Sequence, residues 1–177
     1  SSGASININS TGSNTITFAQ LSEATYSGVT LTMTDATGNT RDLTISTFTV
    51  DTTAPTITTF SMVDTALKAG ETSAVSIVFS EAVTGFTKAD ITAPSGSLSD
   101  LTTNDNITFA SVFTPTADTT DSQNTLTLAA DSYTDLALNN GPGATTANYA
   151  VDTASPAAFQ VTTVASTGGT AVATHLN

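Results

Sequence analysis

Apolar residues and threonines alternate with a period of two along much of this chain, and that pattern admits little besides β-strands. In GVTLTMTD (28–35), Val29, Leu31 and Met33 take one face and the threonines take the other. AVSIVFSE (74–81) puts Val75, Ile77 and Phe79 on one face in the same way. SINI, NTITFAQL, TITTFSMV, DITAPSGSL, NITFASVFTP, NTLTLAAD and ANYAVD extend the pattern. In DLTISTFTV (42–50) the apolar set is Leu43, Ile45 and Phe48, and the three-residue step predicts a bulge or the edge of the pattern. KAGE, SGSLSD, TNDN, DTTDSQN and NNGPG separate these runs as turns, each rich in Gly, Asn, Asp, Ser or Pro. No window carries an apolar stripe at helical spacing over more than about two turns. Threonine, β-branched and half polar, suits a pleated, half-buried surface.

Charge narrows the partners. Fifteen acidic residues face three cations, Arg41, Lys68 and Lys88, for a net charge of −12. Three cations cannot neutralise a useful number of phosphates, which excludes nucleic acid and disfavours anionic membrane surfaces. Cysteine is absent, so there is neither a disulfide framework nor thiolate chemistry. No apolar run reaches the ~20 residues of a membrane span, and the sequence shows no signal-peptide pattern.

The chain also repeats itself. VDTTAP (50–55) returns as VDTASP (151–156), so Asp51 and Asp152 stand 101 residues apart. That interval is the size of a small domain and marks the hexapeptide as a joint between modules. TDATGN (34–39) precedes the first hexapeptide as TDLALN (134–139) precedes the second. Each module therefore ends on an Asp-bearing turn, a last strand and a joint. About seven short strands between the joints give the profile of an immunoglobulin-like sandwich without its Cys and Trp. Phe79, Phe86, Phe109, Phe113, Leu126, Leu128 and Tyr149 are its expected core, and Tyr133 is an expected corner tyrosine.

FSEAVTGFTKADI (79–91), YTDLALNNG (133–141) and the Val-Asp-Thr-x-x-Pro joints resemble the bacterial Ig-like modules of giant repetitive surface adhesins. The resemblance covers residues 51–152 fully and the flanks in part. It implies all-β, immunoglobulin-like antiparallel β-sandwich modules in tandem, placed outside the cell or on the bacterial surface. Such modules form stalks, with Ca²⁺ often at or near the joints, and are not enzymes. Residues 51–152 read as one complete module, 1–50 as the C-terminal part of another, and 153–177 as the start of a next. Either the chain is one period of a tandem array, or separate copies complete each other's split module by strand addition. An alternative role is an adhesin module whose loops bind a glycan or a host surface.

Catalytic patterns are missing. The one histidine, His175, lies near the C-terminal edge, and no GxSxG, HExxH, phosphate-binding loop or dinucleotide fingerprint occurs. Lys68 and Lys88 sit in turns, which disfavours an isopeptide bond with a buried lysine. Asn9 and Asn106 open glycosylation sequons, common by chance in a threonine-rich chain. Calcium is the better fit, because a hard cation takes six to eight oxygens from loop carboxylates and carbonyls. The candidate ligands are Asp51 at the joint, Glu81 and Asp90 on loops, and Asp135 with Asn139 on the late turn. Asp35 closes the first module and Asp152 occupies the second joint. The resemblance carries over Glu81, Asp90, Asp135, Asp51 and Asp152 as ligand positions; the competing role of each Asp is to cap a turn.

Overall fold

The computed structural model describes residues 20–35 and 37–158. SINI and nearly all of NTITFAQL, most of the segment after the second hexapeptide, and His175 lie outside them.

The first strands are β1 (Ala24–Tyr26), β2 (Thr30–Thr34), β3 (Thr40–Thr44) and β4 (Phe48–Val50). β1 pairs with β4 and β2 with β3, both antiparallel. Ile45 N–H donates to the Val29 carbonyl at 2.9 Å, so the two ladders run on as one hairpin with a break at residues 45–47. That break is the expected step between Ile45 and Phe48.

From Asp51 onward the chain builds a sandwich. Its strands are β5 (Ile57–Met62), β6 (Ala66–Lys68), β7 (Ser73–Phe79), β8 (Ile91–Thr92), β9 (Gly96–Leu98) and β10 (Thr108–Pro115), then β11 (Thr120–Asn124), β12 (Thr127–Leu128), β13 (Ala144–Thr145) and β14 (Tyr149–Asp152). One sheet has the order β5-β7-β10-β9, antiparallel throughout. Opposite it, β14 lies between β11 and a parallel β6, and β12 lies between β13 and β8. Pairs 120↔152, 121↔151, 127↔145 and 128↔144 share one register, interrupted by a bulge near Asn124. β11–β12 and β13–β14 are thus the arms of a second long hairpin. No α-helix occurs among the described residues; Lys88–Asp90 makes a single 3₁₀ turn.

Alternation explains which sides face in. Val75, Ile77 and Phe79 on β7 are buried, as are Phe109 and Phe113 on β10. Leu126, Leu128, Tyr149 and Val151 meet them from the other sheet. Phe79 is the centre of the packing, with the rings of Phe86, Phe109 and Tyr133 at 5.2, 5.7 and 4.7 Å. Each such buried side chain contributes about 1.5–3 kcal/mol, and edge-to-face pairs add more. Every expected core residue lies in this cluster. Tyr133 is buried and its hydroxyl donates to the Pro142 carbonyl at 2.9 Å. It ties down the loop after β12 from nine residues upstream, whereas a corner tyrosine reaches back to the chain before it.

Two turn readings need correction. DTTDSQN contains strand β11, and SGSLSD contributes strand β9. Asp, Ser and Asn favour turns locally, but β14 supplies a ladder to residues 120–124. Buried Asn124 is satisfied there, its Nδ2 donating to the Asp121 and Tyr149 carbonyls at 3.2 and 3.3 Å. β6 also went unsignalled, being only three residues long.

A candidate metal centre at the module joint

Three carboxylates meet where the first hairpin hands over to the sandwich. Asp51 follows β4, Glu81 follows β7, and Asp135 lies in the excursion between β12 and β13. One carboxylate oxygen from each lies within 4.8 Å of the other two. Asp135 is fully buried, and Asp51 and Glu81 are half-buried.

Backbone bonds bring these segments together. Ser80 N–H donates to the Thr56 carbonyl at 2.8 Å, and Thr56 N–H donates to Ser80 Oγ at 2.9 Å. The joint is thereby fixed beside the exit of β7. Thr84 and Thr134 exchange N–H···O bonds of 2.8 and 3.1 Å, which fastens the Glu81 loop to the Asp135 loop. Asn139 closes the triangle: its Nδ2 donates to the Asp51 and Thr53 carbonyls at 3.2 and 3.4 Å and to Asp135 Oδ2 at 2.8 Å. Asp51 Oδ1 accepts the Thr53 N–H at 3.0 Å, an Asx turn, and buried Pro55 then holds the joint extended.

The electrostatics are those of gathered negative charge. Glu81 is raised above the ordinary carboxylate range, chiefly by burial, then by Asp135, Asp51 and Glu23. Burial pushes Asp135 the same way. The Asn139 side chain and the amides of Asn139, Ala137 and Leu138 outweigh it, and Asp135 is lowered. The two ion pairs found among the described residues, Lys68–Glu71 at 3.2 Å and Lys88–Asp100 at 2.6 Å, leave the cluster uncompensated.

Of the sequence-derived candidates, Asp51, Glu81 and Asp135 come together, and Asn139 orients them as a donor. Asp90 is engaged elsewhere, its Oδ2 accepting the Thr87 N–H and hydroxyl at 2.7 and 3.0 Å to cap the 3₁₀ turn. Asp152 accepts the Thr120 hydroxyl at 2.9 Å, outside the carboxylate group. Asp35 and Asn39 reproduce the Asp135 turn: Asp35 Oδ1 accepts the Thr37 and Asn39 amides at 2.8 and 2.9 Å, and Oδ2 accepts Asn39 Nδ2 at 2.8 Å. These bonds, led by the Asn39 side chain, hold the exposed Asp35 far below its usual range. Among the described residues it belongs to no group of three such ligating side chains.

Sequence reasoning missed Glu23, on the first hairpin. Its Oε2 accepts the Thr53 and Thr52 hydroxyls at 2.5 and 3.3 Å, which places it across the joint. The one available signal was its Ser-Glu-Ala context, shared with Glu81. Also unanticipated, Leu136 and Leu138 stand 81% and 75% exposed on the Asp135 turn.

Among curated proteins and among solved structures, nothing matches this chain. Residues 51–151 match the profile of the family described as "Bacterial Ig-like domain". With its sandwich and more than half its length in that match, the chain belongs to the bacterial Ig-like domain family.

Proposed function

We propose that this chain is a structural extracellular unit that extends a stalk, filament or matrix end to end, with Ca²⁺ clamping the joint at Asp51, Glu81 and Asp135. The observation that carries this reading is the convergence of three carboxylates, one of them buried, on the linker between the hairpin and the sandwich. Domains of this family are usually outside the cell or surface-exposed and typically non-enzymatic. No helix of the described residues is long and apolar enough to cross a membrane.

The residues fit a hard cation. All three donors are carboxylate oxygens, and Glu23, held across the joint by the Thr52 and Thr53 hydroxyls, adds negative charge beside them. Ca²⁺ accepts such an irregular oxygen set, whereas Mg²⁺ demands near-octahedral geometry. The ion would offset the burial of Glu81 and its repulsion by neighbouring acids, and tie the linker to two loops of the sandwich. Asn139 and the Thr84–Thr134 pair would hold the donors in place, and Pro55 would limit the linker to extended geometry. The alternative, a module that binds a glycan or surface ligand through its loops, draws support from Leu136 and Leu138.

Limited proteolysis tests the clamp. Cleavage within residues 50–56 should slow at least severalfold when Ca²⁺ replaces chelator, and Asp135→Asn should abolish the difference. Equal cleavage in both conditions would sink the proposal.

A further inference from the structure

We propose that Asn140–Gly141 is a self-modification site, at which the Gly141 backbone nitrogen attacks the Asn140 side-chain amide whenever the 133–141 loop opens. Of the asparagines in the chain, Asn140 alone precedes a glycine. Glycine suits the reaction because, without a Cβ, its nitrogen can approach the side-chain carbonyl carbon closely. The Gly141 N–H gives its proton to solvent base, and a bond forms from that nitrogen to Asn140 Cγ. The Cγ–Nδ2 bond breaks and ammonia leaves, so the product is a cyclic imide. Water then opens the imide. Addition at Cγ leaves aspartate; addition at the main-chain carbonyl leaves isoaspartate, whose backbone runs through the side-chain methylene and is longer.

The fold holds this chemistry off at the nitrogen. Asn140 is exposed, but Gly141 is buried. The Gly141 N–H donates to the Tyr133 carbonyl at 2.9 Å, and the Gly141 carbonyl accepts the Asp131 N–H at 2.9 Å. Losing the proton or swinging toward Cγ would break the first bond and strain the second. The Tyr133 ring blocks the movement as well, since a Cβ at Gly141 would stand 2.0 Å from Cε2. The same loop is fastened to the sandwich by the Thr84–Thr134 pair and to the joint by Asn139. Reaction therefore passes through the open fraction of the loop, and its rate measures that opening.

The product cannot close the loop again. Thr134 and Asn140 face each other as an antiparallel bridge, and Gly141 has no room to shift against Tyr133. A backbone lengthened at residue 140 puts Asn139 and Gly141 out of register. The bonds from Asn139 to the Asp51 and Thr53 carbonyls are then lost. One chemical event thus turns a transient opening into a permanently loosened joint.

Peptide mapping by mass spectrometry tests this on the full chain, incubated in mildly alkaline buffer with chelator so that the result is independent of the calcium reading. In denaturing urea, Asn140 should deamidate faster than every other asparagine. In the folded chain its rate should fall by at least about tenfold, because only the open fraction reacts. Asn139→Ala, which frees the loop from the joint, should restore part of that rate while the thermal transition of the sandwich persists. The purified isoaspartate chain, refolded, should exchange the Gly141 and Thr134 amides faster than the wild type. Asn140→Asp, which adds the charge without lengthening the backbone, should keep their protection. An unfolded chain that reacts no faster at Asn140 than elsewhere overturns the proposal. So does a folded chain that reacts at the unfolded rate, an Asn139→Ala rate equal to wild type, or an isoaspartate chain with wild-type protection.

Discussion

Asn139 spends its amide on two carbonyls of the joint and one carboxylate, and thereby sets where Asp135 can point. Two residues on, Gly141 shows how tightly this loop is packed. A Cβ there would lie 2.0 Å from Tyr133 Cε2, on a ring that is itself buried. Gly141→Ala should therefore cost about 1–3 kcal/mol, the usual penalty of overpacking, and a urea midpoint would register it. Asp105 works differently, through charge. Its Oδ1 accepts the amides of Thr108 and Ile107 at 2.8 and 2.9 Å, which lower its pKa below 3.8. For a carboxyl lowered on folding, the unfolded chain binds more protons. Its stabilisation is therefore complete above 3.8 and is lost as the pH falls through the folded value. Asp105→Asn should lower the urea midpoint at neutral pH and change it much less in strong acid.

At the scale of elements, the hairpins decide the architecture. β7 and β10 were legible because Val, Ile and Phe recur every second residue, and a one-residue slip would turn them all outward. β11 was illegible because its residues name a turn and only its pairing with β14 makes a strand. Asn124 is where the two tendencies meet, 3% exposed and bonded through its side chain to both arms of the hairpin. Asn124→Ala would leave the Asp121 and Tyr149 carbonyls short of a donor and cost about 1–3 kcal/mol. Hydrogen exchange should accelerate along β11 and β14 before it changes along β7.

For the whole molecule, the dominant quantities are a net charge of −12 and a joint lined with acids. Sodium chloride screens the diffuse repulsion over about 10 Å at 0.1 M, while an ion held at the joint would act on three carboxylates at once. Ca²⁺ at a hundred times its Kd should stabilise the folded chain by about 2.7 kcal/mol, seen as a rise in Tm. Sodium chloride of equal ionic strength should give a smaller rise, Glu81→Gln should erase the calcium-specific part, and Asp152→Asn should leave it intact.

By itself the sequence determined that the described residues are β-structured and which apolar residues fill the core. Those properties follow from side-chain alternation and from turn chemistry, both written within a few residues. Tertiary structure alone decided which acids meet. Asp51 and Asn139 stand 88 residues apart, and only the paired loops of Thr84 and Thr134 and the staple at Ser80 bring Glu81 and Asp135 to them. The same local motif sits exposed at Asp35 and buried at Asp135, because its surroundings come from strands distant in the sequence.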